Sequence, residues 1–326
     1  MAFNPDQMRI VSGADIDAAL PLADGIEAID VAMREVSSGR TDQPLRWMMP
    51  ISDGNAMGIM PGAMRSPAVH GVKLISLYPD NPKKGLPSHL GMMLLFDSET
   101  GTPLAVVDAS VLTTRRTAAA TVVATRALAR SDAPVHAVIG TGELAGAHIE
   151  AFAAARPFAE TRVWGRRRDA ADALIARCAG PGGDFIACDR IEDAVAGADV
   201  VTTVTAATSP ILFGRHLEPG QHVNLVGASM ANAREIDDDG VARGRAYTDS
   251  VASAGQQAGE LIGAMASGAI GAGHLLGEIG SVLLGELSGR GGADEITIYK
   301  SHGISAQDLA YADAVLRRLP ETGRET

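Results

Sequence analysis

Val135-His136-Ala137-Val138-Ile139-Gly140-Thr141-Gly142-Glu143-Leu144-Ala145-Gly146-Ala147-His148 is the stretch from which the fold is read. A short β-branched run ends in Gly-x-Gly-x-x-Ala and opens directly into a helical segment. Gly140 permits the tight turn, Gly142 lets backbone approach a pyrophosphate, and the small Ala145 allows the helix to pack closely on its strand. The new helix presents backbone N–H groups and the positive end of its dipole to an anion, so the loop Gly140, Thr141, Gly142, Glu143 and Leu144 is read as a dinucleotide phosphate site.

The chain repeats this alternation outward from the loop. Thr161 to Trp164, Asp184 to Cys188, Asp199 to Val204, His222 to Gly227 and Arg245 to Asp249 read as strands, with helical segments at His148 to Ala155 and Asp169 to Cys178. Alternating strands and helices of this length predict a parallel, doubly wound α/β sheet. Where the second strand ends, an NAD enzyme usually carries an acidic residue for the ribose hydroxyls. This chain has Gly165-Arg166-Arg167-Arg168 instead, which suits a 2′-phosphate and predicts NADP(H) in preference to NAD(H), with Arg168 read as a solvated helix start.

The first third differs. An amphipathic helix is predicted over Asp15 to Ser37, followed by strands near Ala56 to Met60, Val69 to Leu77 and Met92 to Phe96. The polar turn Asp97-Ser98-Glu99-Thr100-Gly101 joins Leu94-Leu95-Phe96 to Leu104-Ala105-Val106-Val107 as a hairpin. A long helix from Thr114 to Ala129 leads into the nucleotide-binding region, and Ser305 to Leu316 is again amphipathic. The expected division is an α+β domain over 1–117 with the segment 305–326, and a Rossmann-type domain over 118–304.

Composition bounds the partners. A formal charge of −11 over 326 residues argues against nucleic acid and anionic membranes, which demand clustered Lys and Arg. Cys178 and Cys188 are the two cysteines, too few for a disulfide framework or a four-ligand metal site, and no metal is expected. Glycines, His274 and Glu278 interrupt the apolar stretch Leu261 to Gly285, making it a poor membrane span. The N-terminus lacks the basic start and apolar core of a secretory signal, which predicts a cytoplasmic address.

Three clusters outside the glycine loop belong together: Gly71-Val72-Lys73, Gly85-Leu86-Pro87-Ser88-His89, and Leu112-Thr113-Thr114-Arg115-Arg116-Thr117-Ala118-Ala119. With the Asp-x-x-Thr-Gly turn and the later Thr203-Val204-Thr205-Ala206-Ala207-Thr208-Ser209-Pro210-Ile211-Leu212, they resemble the ornithine cyclodeaminase/mu-crystallin family over nearly the whole chain. The resemblance implies a homodimer, with the first-third sheet at the subunit interface. It also implies that Arg116 grips a substrate carboxylate, helped by Arg46, and that Thr117, Thr205, Ala206, Thr208, Val226, Ser229 and His302 contact the cofactor. Arg116 is expected at a helix N-terminus, where its guanidinium would add to the helix's own anion site. Lys73 sits in the apolar run Val72-Lys73-Leu74-Ile75, where partial desolvation would make it a ready proton donor or acceptor. Ser88, His89, Ser229 and His302 complete the expected substrate contacts.

One departure selects among the family's reactions. Its cyclodeaminases and alanine dehydrogenases carry an Asp just after the strand-end Gly, whereas this chain has Gly227-Ala228-Ser229, resembling the mu-crystallin-type ketimine reductases. A serine hydroxyl is a poor base for a substrate ammonium. The function implied is NAD(P)H-dependent reduction of a small α-imino acid, such as pyrroline-2-carboxylate or piperideine-2-carboxylate, by an oxidoreductase acting on C=N bonds. The alternatives are an ornithine- or lysine-cyclodeaminase-type lyase or amino-acid dehydrogenase of the same family, and a non-catalytic NADP-dependent small-molecule-binding protein.

Overall fold

The computed structural model describes residues 8–180 and 183–320. The N-terminal reading falls partly on residues 1–7, and the segment 305–326 ends in 321–326, both outside the described residues. Described residues up to Arg116, with those from Ile304, form one compact unit, and Thr117–Gly303 forms the other.

In the first unit, β1 (Arg9–Val11), α1 (Gly13–Ala19) and α2 (Leu22–Ser37) precede the strands β2 (Thr41–Asp42), β3 (Trp47–Ser52), β4 (Asn55–Met64), β5 (Val69–Leu77), β6 (His89–Asp97) and β7 (Pro103–Asp108). The predicted single helix over Asp15 to Ser37 is corrected to two. Pro21 lacks the N–H needed to continue α1 and instead stands as the N-cap of α2. Sheet order is β1-β7-β6-β5-β4-β2, with β3 also paired to β4. Along β5 the pattern is strictly alternating: Val69, Gly71, Lys73 and Ile75 are buried, while the residues between them are half-buried. α11 (Ser305–Arg318) lies on the buried face, close to Gly62 of β4 and Gly71 of β5, where an added Cβ would meet Ser305 and Leu309. α2 packs on α11 in turn.

The helix predicted from Thr114 starts earlier. In α3 (Ala109–Leu128) the Asp108 carboxylate accepts from the Ser110 and Val111 N–H groups at 2.8 and 2.9 Å, capping the helix five residues upstream. Arg116 therefore lies in the third turn, and its expected place at a helix N-terminus is corrected.

The second unit carries β8 (Val135–Ile139), α4 (Glu143–Ala155), β9 (Glu160–Trp164), α5 (Arg168–Cys178), β10 (Asp184–Cys188), α6 (Ile191–Val195), β11 (Val200–Thr203), β12 (His222–Leu225), α7 (Asp238–Arg243), β13 (Gly244–Thr248), α8 (Val251–Gln257), α9 (Gly259–Ala266), β14 (Leu275–Glu278), α10 (Ile279–Leu283) and β15 (Ile296–Lys300). Its strands are all parallel, in the order β10-β9-β8-β11-β12-β15-β13-β14. This is the doubly wound arrangement, with the order reversing at β8. Alternation divides the core accordingly. Ala137, Ile139 and Val201 pack with α6 in one cluster, while Val138 and Val163 pack with α4 and α5 in another. No helix among the described residues is long and apolar enough to cross a membrane.

A polar network lies within this unit. His136 pairs with Thr202 at 2.9 Å, His148 with Thr121 at 2.9 Å, and His222 with Thr297 at 2.9 Å and Asn224 at 3.0 Å. Burial pushes all three imidazoles down, His136 and His222 to about 3 and His148 to about 4. Because the folded values lie below the unfolded one, their contribution is present above about pH 6.5 and is lost as pH falls. Near pH 5 unfolding should take up about three protons at these sites, a slope of roughly 4 kcal/mol per pH unit. Urea melts at pH 6, 5.5 and 5 measure it, and a flat profile would contradict the buried-neutral assignment.

Candidate active site

Lys73 points from the central strand β5 into the buried face, and its side chain is fully enclosed. Its Nζ lies 2.9 Å from Asp308 Oδ1 and 2.8 Å from Oδ2, and donates to Thr113 Oγ1 at 3.2 Å. Asp308, in the first turn of α11, is 0% exposed. Arg116 of α3 reaches the same carboxylate, Nε to Oδ1 at 2.8 Å, and its Nη1 donates to Gln307 Oε1 at 3.1 Å. A strand, an internal helix and the C-terminal helix thus meet in one buried Lys–Asp–Arg cluster.

Burial pushes the Lys73 ammonium down to about 8, with the Arg116 and Arg46 charges acting in the same direction and Asp308 opposing them. Burial acts to raise the Asp308 carboxyl, but the Arg116 and Lys73 charges outweigh it and hold the group below the usual carboxylate range. Two of the five Arg116 N–H donors are engaged by these contacts, and no described residue hydrogen-bonds its Nη2. The cluster carries net positive charge, and Arg46, half-buried before β3, adds to it. Such a site suits a small carboxylate beside a group that loses its proton near neutral pH.

Ser88 and His89 are placed differently. His89 is exposed at the start of β6, its Nδ1 2.8 Å from Ser88 Oγ. Met93, not His89, is the register partner of Lys73, so His89 stands four residues along the strand, roughly 13 Å away.

The second unit collects the other expected residues along the C-terminal edge of its sheet. Gly140 is buried with φ +134, a conformation only glycine adopts readily, and an added Cβ would lie 2.8 Å from the Val204 carbonyl. Gly142 is the N-cap of α4, without a side-chain cap and with open space where a Cβ would be. These features fit a dinucleotide pyrophosphate at the helix N-terminus. Thr141 packs on Gly165, whose neighbours Arg166 and Arg167 are exposed. Arg168 pairs with Asp189 and Asp172 at 2.7 and 3.2 Å, and Arg167 lies 3.7 Å from Asp169, while Arg166 has no ion-pair partner among the described residues. Glu143, Leu144, Thr205, Ala206 and Thr208 lie in or beside the loops that follow β8 and β11, and Val226 and Ser229 in the loop that follows β12. Thr117 is buried in α3 one turn before Thr121. His302 is buried after β15, its N–H donating to the Asp249 carboxylate at 3.0 Å.

The model of the ornithine cyclodeaminase/mu-crystallin family matches residues 7–323. The chain belongs to this family. A relative, the ketimine reductase mu-crystallin of Mus musculus, is 34% identical over 294 residues, which cover 89% of this chain and 90% of the relative. The solved Δ1-pyrroline-2-carboxylate reductase of Thermococcus litoralis, in complex with NADH and L-proline, superposes with a TM-score of 0.90 at 29% identity, covering 95% of this chain and 97% of that one. An archaeal alanine dehydrogenase dimer with bound NAD also gives a TM-score of 0.90 at 29% identity, covering 95% of each chain.

Asp308, Gln307 and Thr113 were missed in reading this family member's sequence. A lone Asp in the first turn of an amphipathic helix ordinarily faces water and complements the helix dipole. The available signal was the company it keeps, since Ser305-Ala306-Gln307-Asp308-Leu309-Ala310 offers uncharged neighbours only. Asp308→Asn keeps the shape but leaves two buried cations uncompensated, and should cost about 3–5 kcal/mol of stability. Equilibrium unfolding in urea measures it, and a loss below about 1 kcal/mol would show that the carboxylate does not balance Lys73 and Arg116.

Proposed function

We propose that this protein is a nicotinamide-dependent reductase of a small α-imino acid, a cyclic ketimine such as pyrroline-2-carboxylate or piperideine-2-carboxylate. The observation that carries the reading is the buried Lys73–Asp308–Arg116 cluster, supported by relatives described as ketimine and pyrroline-2-carboxylate reductases. When bound, the cofactor supplies the hydride that the imine carbon receives. Arg116, with Arg46, holds the substrate carboxylate through the free end of its guanidinium. Lys73 delivers the proton to the imine nitrogen, so that C=N becomes CH–NH and the charges balance. Its ammonium keeps that proton below about pH 8 and gives it up readily because the site is desolvated. Asp308 orients both cations without touching substrate.

Residues 1–117 with 305–326, within a residue of the first unit's bounds, are the substrate and dimerisation domain in this reading, and 118–304 the cofactor domain. The sheet face opposite α11 carries Ile59, Val72, Leu74 and Met92, with Trp47 61% and Met92 59% exposed. An apolar face of this kind fits a homodimer interface. Gly227-Ala228-Ser229 lacks the carboxylate that would favour a cyclodeaminase or an amino-acid dehydrogenase.

Two sets of variants test the reading. Lys73→Met leaves a balanced Asp308–Arg116 pair and should lower kcat about 10²–10⁴-fold, whereas Arg116→Ala should chiefly raise KM for the imino acid. An unchanged kcat in Lys73→Met removes Lys73 as donor, and ammonia release from ornithine by the native enzyme overturns the reductase reading. NADP(H) is the preferred cofactor in this proposal because Arg166 and Arg167 stand where an acidic residue would favour NAD(H). Replacing both with Ala should weaken NADPH binding by about one to two decades and leave NADH nearly unaffected. Equal affinity of the native protein for NADH and NADPH would sink the clamp assignment.

A further inference from the structure

Glu235 is a charged residue that the reaction scheme leaves unused, yet it is 0% exposed. It lies in the connection between β12 and α7, and five donors converge on its carboxylate. Oε1 accepts from the Thr205 N–H and the Thr205 hydroxyl, both at 2.7 Å. Oε2 accepts from the Thr203 hydroxyl and the Gly227 N–H at 2.8 Å, and from the Ala228 N–H at 3.3 Å. Oε1 therefore serves the loop following β11, while Oε2 serves the loop following β12 and the last residue of β11. The approach requires glycine at 227, since a Cβ there would lie 2.6 Å from Glu235 Oε1.

A buried ion pair completes the arrangement. Lys300, at the end of β15, sits 3.2 Å from Glu260 Oε1, and that same oxygen accepts the Glu235 N–H at 3.4 Å. Lys300 also donates to the Ala228 carbonyl. Both backbone groups of Ala228 are thus held by buried charged side chains, which fixes where Ser229 begins. The pyrophosphate turn follows β8 and the arginines follow β9, so the adenosine half falls on that side of the switch point. The loops tied by Glu235 belong to β11 and β12, on the opposite side, where the nicotinamide half falls.

We propose that Glu235 is a positioning residue that holds the Thr205 and Gly227–Ser229 loops in register for the nicotinamide ring, with the Lys300–Glu260 pair locking the second loop from behind. This rests on the reading of the protein as a nicotinamide-dependent reductase. A carboxylate is required because every group facing it donates. In Glu235→Gln one oxygen becomes an NH2, and whichever one it is meets a backbone N–H that cannot turn to accept. One loop is then released while the adenosine side keeps its contacts.

The test is saturation-transfer NMR of NAD+ and NADP+, comparing nicotinamide with adenine protons, alongside steady-state kinetics with a cyclic imino acid. For Glu235→Gln, adenine saturation should match the native protein and nicotinamide saturation should drop. Its kcat should fall about 10- to 100-fold with the imino-acid KM little changed, as expected for a misplacement near 1 Å. Parallel loss of both halves, or a kcat within about twofold of native, overturns the proposal. Should Glu235→Gln fail to fold, the near-isosteric Thr203→Val removes one of the five donors, and an unchanged proton ratio and kcat there would overturn it equally. If the native protein binds dinucleotide but reduces no imino acid, the reductase reading fails, and the NMR ratio still decides the role of Glu235.

Discussion

The Asp308 carboxylate, closed off from water between Lys73 and Arg116, is the constraint on which the first unit depends. Its partners lie 235 and 192 residues away in the chain, so the contact forms only when the C-terminal helix has returned to the sheet that the first third builds. Desolvating two cations is costly, and in this interior the offset comes from one anion with well-directed contacts rather than from solvent. The small residues follow from it. Gly62 and Gly71 let α11 lie close enough to the sheet for Asp308 to reach β5 and α3 together.

A locally positive site in a protein of net charge −11 has a chemical consequence. The surplus cations favour a carboxylate at one position, and burial, helped by the neighbouring guanidinium charges, makes one of them willing to release its proton. The second unit works by backbone geometry instead. Its parallel strands bring Gly140, Gly165, Thr205 and Gly227 to one edge, and the tight approaches there leave no space for side chains at Gly140 and Gly227.

What could be read in the sequence was local or periodic. The Gly140-x-Gly142 turn, the β-branched runs of the parallel sheet and the Lys73 strand all announce themselves within a few residues. Helix boundaries were read less well, because Pro21 and the Asp108 cap act at single positions inside otherwise continuous patterns. Asp308 and Glu235 were passed over for one shared reason. An acidic residue near a helix start is normally solvated, and only the tertiary fold shows that these two are buried among donors. His89, which its place beside Ser88 in a family motif marks as a candidate substrate contact, lies exposed at the start of β6.

Burial, only partly opposed by Asp308, poises the Lys73 ammonium to release its proton near neutral pH. With four lysines in the chain, Lys73, Lys83, Lys84 and Lys300, the ε-carbon resonances of 13C-lysine-labelled protein can be followed individually, and Lys73→Arg assigns the one that matters. This resonance should titrate at about 8. A Lys73 that stays protonated past pH 10 would contradict it.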